Sequence, residues 1–223
     1  MAIKTSMLLR PVALAALFLV TNASHAAITV YTSLVSFSAA ISAAGTDTFT
    51  GLSTVASTPT PVVRTTDVGA AYSYTVDAGP AGSLYGAGTT AGPFLSTNAY
   101  NDTLTLSSFA SGIVGVGANF FGTNIDGAYT LGGITVTATD ASGTVTQTIT
   151  AAVQNSFLGF VSSTGMTNMT IVGVQTGGAF LWPTVDNLAM GKSVTAPIPE
   201  PSTYALMLAG LATLGFAARR RKA

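Results

Sequence analysis

Cysteine is absent from this 223-residue chain, and its single histidine, His25, stands near the start. The missing thiols exclude a disulfide framework, a thiolate metal site and a cysteine nucleophile. Charge is scarce as well, at 7% of residues against about 25% in an average soluble protein. Glu200 is the only glutamate. Between Ala27 and Pro199 the basic residues are Arg64 and Lys192 alone. They face Asp47, Asp67, Asp77, Asp102, Asp126, Asp140 and Asp186, which leaves this stretch five charges negative. Two cations cannot line a phosphate backbone, so nucleic acid is excluded as a partner. What fills the gap is threonine, serine, glycine and alanine, a composition that suits hydroxyl-covered sheets.

The first 26 residues combine a basic start (Lys4, Arg10), an apolar run from Pro11 to Val20 and small residues before Ala27. Ser24 and Ala26 fit the −3 and −1 positions of a signal-peptidase site, so residues 1–26 read as a signal peptide cut between Ala26 and Ala27. His25 leaves with it. The mature chain can then build neither a Ser-His-Asp triad nor a Cys-His pair, and no enzymatic activity is expected. A hydrolase using two aspartates is the remaining catalytic option. Its candidates Asp102, Asp126 and Asp140 lie in "NDT", "IDGAY" and "DASG", where turn chemistry already accounts for them.

At the other end, "PIPEPSTYALMLAGLATLGFAARRRKA" joins a proline-flanked glutamate, a short apolar run and a basic cluster. A fifteen-residue helix from Tyr204 to Ala218 reaches about 22 Å, and Ser202, Thr203 and snorkelling arginines bring it close to a 30 Å hydrocarbon core. A single transmembrane helix is therefore expected over residues 202–218. Arg219, Arg220, Arg221 and Lys222 form its cytoplasmic anchor by the positive-inside bias. Pro199 and Pro201 hold Glu200 in an extended, presentable segment. This ordered combination resembles the PEP-CTERM sorting signal of bacterial exported proteins. The resemblance implies processing by a membrane transpeptidase of the exosortase type, with Pro199, Glu200 and Pro201 as the motif. It also implies a transient stay in the inner membrane, then transfer to the cell surface or extracellular matrix.

The exported middle, residues 27–194, reads as mainly β, with residues 195–223 as linker and sorting signal. "TSLVSFSAAISAAG" predicts one short helix, capped by Ser33, ended by Gly45 and lying at a sheet edge or barrel mouth. In "GGITVTATDASGTVTQTIT" Ile134, Val136 and Ala138 alternate with threonines, Asp140 to Gly143 supply a turn, and Val145, Gln147 and Ile149 alternate again. That is a hairpin with one buried and one threonine-covered face. Further strands are expected at Ser73–Val76, Thr103–Phe109, Ile113–Phe121, Phe157–Ser162, Met169–Val174 and Trp182–Met190. Val114, Val116, Ala118 and Phe120 share a face, and Gly115 and Gly117 mark a close approach on the other. Residues 53–100 read as long loops and edge strands. The sum predicts a β-sandwich of jelly-roll type. The stretches "YTSLVSFSAAI", "GVGANFFGTNIDGAYTLGGITVTATDASG" and "AFLWPTVDNLAMG" resemble β-rich PEP-CTERM proteins, which implies a lectin-like sandwich and no defined activity.

Two binding chemistries fit this domain. Its acidity suits a hard cation, and Asp47 and Asp186 are the calcium candidates, neighbours if the terminal strands meet; the alternative is that both accept backbone hydrogen bonds. Sugar recognition needs exposed rings, for which Trp182, Tyr72, Tyr74, Tyr85, Tyr100 and Tyr129 are available. Phe120, Phe121, Phe157 and Phe160 read as core, and Trp182 itself reads first as a core plug under the last strand. The expected role is an exported structural or adhesive protein in biofilm or exopolysaccharide; the alternative is a carbohydrate-binding module, calcium-dependent or cofactor-free. Signal peptidase, exosortase and exopolysaccharide are the expected partners, with the membrane a partner before processing.

Overall fold

In a computed structural model, residues 28–177 and 180–194 are described, together with Leu211. The expected signal peptide, the Ala26–Ala27 junction, the Pro-Glu-Pro residues, the basic anchor and, apart from Leu211, the expected transmembrane helix lie outside the described residues.

The described chain is mainly β. A first series runs β1 (Ile28–Tyr31), α1 (Leu34–Ala40), β2 (Ile41–Asp47), β3 (Thr58–Pro59), β4 (Val62–Thr65), β5 (Val68–Gly69), β6 (Ser73–Gly79), β7 (Ser83–Thr89) and β8 (Gly92–Thr97). It continues with β9 (Thr103–Ser107), β10 (Ile113–Thr123), β11 (Tyr129–Thr130), β12 (Gly132–Asp140), β13 (Gly143–Ala152), β14 (Phe157–Ser162), β15 (Met166–Val174) and β16 (Trp182–Ser193). These form two antiparallel sheets. The larger follows the order β1-β14-β10-β16-β8-β7-β3, with β11 added on β10 and β2 pairing β16 and β5; the smaller follows β13-β12-β15-β9-β6-β4.

Period-two alternation builds the core between them. Leu84, Leu95, Val116, Ala118, Phe120 and Val185 of the larger sheet meet Val76, Leu104, Leu106, Ile134, Val136 and Ile171 of the smaller, all essentially inaccessible. Each such large aliphatic or aromatic side chain contributes about 1.5–3 kcal/mol by burial. The β12–β13 hairpin is as expected. On its outer face Thr135, Thr137 and Thr139 meet Thr148, Thr146 and Thr144 through hydroxyl contacts of 2.9, 3.0 and 3.1 Å.

Three expectations need correction. The helix stops at Ala40, and Ile41 instead begins β2, because its backbone pairs with Ser193 of the last strand. Ser33 occupies the N-cap position without a side-chain cap bond. The helix lies on the outer face of the larger sheet rather than at an edge: Phe37 and Ile41 pack over Gly115, Gly159 and Gly191 of three adjacent strands. A Cβ at Gly159 would come 2.4 Å from the Phe37 ring, and one at Gly115 2.3 Å from Ile41. The glycines of β10 thus serve close approach, but of side chains as much as backbone. Second, a register shift between Ile113 and Gly115 puts Ile113, not Val114, into the core. Third, residues 53–100 do hold the edge strands β3 and β4 and the expected strand at Ser73, here β6, but β7 and β8 were not expected and lie inside their sheet.

Candidate functional site

The larger sheet has an outer face where β7, β8, β16 and β10 lie side by side. Register sets Tyr85 opposite Ser96, Ser96 opposite Thr184, and Trp182 opposite Thr123. Since Leu84, Leu95 and Val185 point to the core, these partners point away from it. They line a cleft of about 280 Å³, closed on one side by Asn124, Ile125 and Gly127. Asn124 shapes that loop: its Oδ1 accepts from the backbone N–H groups of Asp126 and Ala128 at 3.0 and 2.9 Å. The Gly88 N–H donates to the Gly127 carbonyl, fixing the loop to β7. At the cleft floor the hydroxyls of Thr123, Thr184 and Ser96 form a chain at 2.9 and 3.2 Å, and Ser96 donates on to the Pro183 carbonyl at 3.0 Å.

Trp182 is only half-buried, so it is no core plug. Its Nε1–H donates to the Asn98 carbonyl at 3.3 Å. Tyr100 meets it edge-on with centroids 5.7 Å apart, and Phe180 packs on Tyr100 at 4.2 Å. Gln175 ties these two loops together, donating to the Tyr100 and Leu181 carbonyls and accepting from the Leu181 N–H. Tyr85 borders the cleft and anchors its hydroxyl on the Thr54 carbonyl at 2.7 Å. Among the described residues no charged side chain lines the cleft. Hydroxyls, the two amides of Asn98 and Asn124 and two aromatic rings allow hydrogen bonding and ring stacking. Tyr72 and Tyr74, also expected to be available, are buried, with their hydroxyls on the Ala43 carbonyl and on Asp47. Phe120, Phe121 and Phe160 are fully buried as expected; Phe157 is partly exposed and packs against Phe37.

Asp47 is fully buried between the sheets. Arg64 reaches it through two donors, Nε and Nη2, each at 2.7 Å, and the Tyr74 hydroxyl and Phe49 N–H donate at 2.7 Å too. Burial works against the Arg64 charge, but the Asp47 carboxylate holds its pKa above the ordinary value. Burial first, and then the same carboxylate, pushes the Tyr74 hydroxyl up. A calcium ion at Asp47 would have to displace this guanidinium. The terminal strands do meet, with Leu188 opposite Asp47. Asp186, however, stands at an irregular point of β16 where Asn187 takes φ 52°, and its carboxylate accepts from Asn187 Nδ2 at 2.7 Å. Burial raises its pKa and Asn187 opposes the rise. Among the described residues, no three acidic, imidazole or thiol side chains stand together. The Arg64 cluster was not foreseen, although a cation following two valines, among seven aspartates, was a signal that a carboxylate could meet it.

The three turn aspartates stand apart, at three different turns. Asp126 is exposed, and buried Asp102 accepts from the Ala81 N–H at 2.9 Å. Asp140 collects the most bonds: Ser142 N–H and hydroxyl, the Gly143 N–H and the Ser162 hydroxyl, at 2.5–3.0 Å. Desolvation alone would raise its pKa, but the Ser142 and Ser162 hydroxyls and the turn's N–H groups hold it at about 2. With the folded value below the unfolded one, its stabilisation is complete above about pH 4 and is lost as pH falls towards 2. Asp140→Asn is therefore expected to lower the thermal midpoint at pH 6, with the gap to wild type closing between about pH 4 and pH 2. A gap that stayed constant across that range would show that the charge plays no part.

Residues 197–222 match the family model of the PEP-CTERM protein-sorting motif. The chain carries a PEP-CTERM sorting motif. The match takes in Pro199, Glu200 and Pro201 as well as Arg219 to Lys222, and of its residues only Leu211 is among those described. The PEP-CTERM motif implies an exported protein processed by exosortase and held in the membrane transiently. Among the described residues no helix is long and apolar enough to cross a membrane. No curated protein and no solved structure matches the chain.

Proposed function

We propose that this is a non-catalytic, structural or adhesive protein of the cell surface or extracellular matrix, delivered there by its PEP-CTERM motif. The observation that carries the reading is the sorting motif itself, joined to a β domain free of histidine and cysteine. In keeping with it, the buried aspartates Asp47 and Asp140 are engaged in holding strands and turns together. The domain is read as a lectin-like relative of jelly rolls that needs no cofactor. Signal peptidase removes residues 1–26, the helix over 202–218 holds the chain in the inner membrane, and exosortase acts near Glu200. Deleting the gene should reduce matrix retention of exopolysaccharide, and the wild-type gene should restore it. Unaltered matrix in the deletion strain would overturn the reading.

A second reading, glycan contact, is favoured by the half-exposed Trp182 beside hydroxyl groups in an uncharged cleft. A sugar's apolar face would stack on the ring while Asn98, Asn124 and the threonines take its hydroxyls. On a glycan array, Trp182→Ala should weaken binding about five- to tenfold, the scale of one lost aromatic contact. Binding unchanged by the substitution, or lost only on chelation of calcium, would remove Trp182 from the ligand.

A further inference from the structure

The edges of the two sheets are not alike. β1 and β4 have four residues each and β3 has two; β4 also carries Arg64 and follows Pro61. Short, charged or proline-flanked edges resist pairing with other chains. β13, at the end of the smaller sheet, has ten residues, no charge and no proline. Among the described residues its only strand partner is β12. Val145 and Ile149 face the core yet stay half-exposed, because the sheet stops beside them. A groove of about 490 Å³ opens along Gln147–Thr150, bounded across by Thr32, Ser156 and Phe157.

The residues of this edge read alike in both directions. In Thr144-Val145-Thr146-Gln147-Thr148-Ile149-Thr150 the chemistry is symmetric about Gln147. We propose that β13 joins two copies of this chain, antiparallel about a two-fold axis at Gln147. Such pairing sets Gln147 opposite Gln147 of the second copy, Val145 opposite Ile149 on the core side, and Thr146 opposite Thr148 on the outer side. Antiparallel partners must keep parity for their faces to agree, and this register does so. The interface is isologous, as closed dimers require. It covers the half-exposed Val145 and Ile149 and continues the threonine ladder of β12 and β13 across the axis. No like charges meet at this edge: residues 141–185, which include β13, β14 and β15, contain no charged side chain. The inference is independent of the glycan reading and gives the structural reading a means of assembly.

The test uses the full chain in mild detergent, sedimented over a range of concentrations. A monomer–dimer equilibrium is expected, and the double substitution Thr146→Lys with Thr148→Lys should raise the dissociation constant at least about tenfold by setting like charges opposite one another. Both positions are exposed and each gives up one surface hydroxyl contact to β12, so the thermal midpoint of the dilute protein should fall by only a few degrees, separating lost pairing from lost folding. Register is read by crosslinking, which the natural lack of cysteine makes clean. Gln147→Cys should form a disulfide-linked dimer under mild oxidation. Thr144→Cys alone should not, but Thr144→Cys mixed with Thr150→Cys should. A wild-type chain that stays monomeric, a dimer indifferent to the lysines, or Thr144→Cys crosslinking as readily as Gln147→Cys would each overturn the proposal.

Discussion

Asp47→Ala is expected to destabilise the exported domain by about 3–5 kcal/mol, the cost of removing one partner from a buried ion pair. Three donors lose their acceptor at once: the Arg64 guanidinium, the Tyr74 hydroxyl and the Phe49 N–H. None can turn readily to water, because Arg64 is mostly buried beneath the strands and Tyr74 is almost completely so. The cluster also spans the sandwich, with Asp47 on β2 of the larger sheet and Arg64 and Tyr74 on β4 and β6 of the smaller. A loss of that size lowers the thermal midpoint by about 10 °C in a domain of 150–250 residues. Replacing both charges by apolar groups of similar size, Asp47→Leu with Arg64→Met, should recover the part of the loss due to the stranded guanidinium, while the Tyr74 hydroxyl and the Phe49 N–H stay without their acceptor. Urea and thermal unfolding of the three proteins check this. An alanine variant within about 1 kcal/mol of wild type, the range of an exposed pair, would mean the cluster is not the fastening described. A double variant as unstable as the single one would mean that shape, not charge, is what Asp47 supplies.

Local alternation carried most of the strand pattern and failed where distant residues decide. The β12–β13 hairpin was legible because threonines alternate with mostly apolar residues and the turn residues sit between them, and Phe157–Ser162 because it is a short apolar run. β7 and β8 were not, since Gly86, Gly88, Gly92 and Pro93 blur the period that pairing with β16 and β3 nevertheless imposes. Ile41 continues a helical stripe in the sequence, yet its fate is settled by Ser193, 152 positions away. The same limit applies to the site. Trp182 beside Pro183 looked like core because a lone tryptophan is usually buried. Its exposure follows from the outward face of β16 at a strand end, a matter of register with Thr123. Asp47 was singled out for its charge, but the residue that explains it, Arg64, lies on a strand of the opposite sheet.

Glu200→Ala should leave the protein in the membrane at its unprocessed mass. The motif offers one carboxylate between two prolines, and no other glutamate occurs in the chain to substitute for it. Pro199 and Pro201 lack N–H donors and disfavour helix, and on the proposed reading the negative group between them is the feature a processing enzyme holds. A site built around a charged partner is left with unpaired buried groups when that partner is missing, and such sites discriminate by a factor of at least about a hundred. Glu200→Asp keeps the charge but shortens the reach, and should retain part of the processing. The folded domain should be indifferent to either change, because its last strand ends at Ser193, seven residues before Glu200. That separation makes the experiment decisive: mass and location report on sorting alone, while an unaltered thermal midpoint shows the domain intact. Membrane, surface and medium fractions are compared by intact mass. Should Glu200→Ala be shortened and released like the wild type, the carboxylate is not what the enzyme reads, and the apolar run with its basic cluster must carry the signal instead.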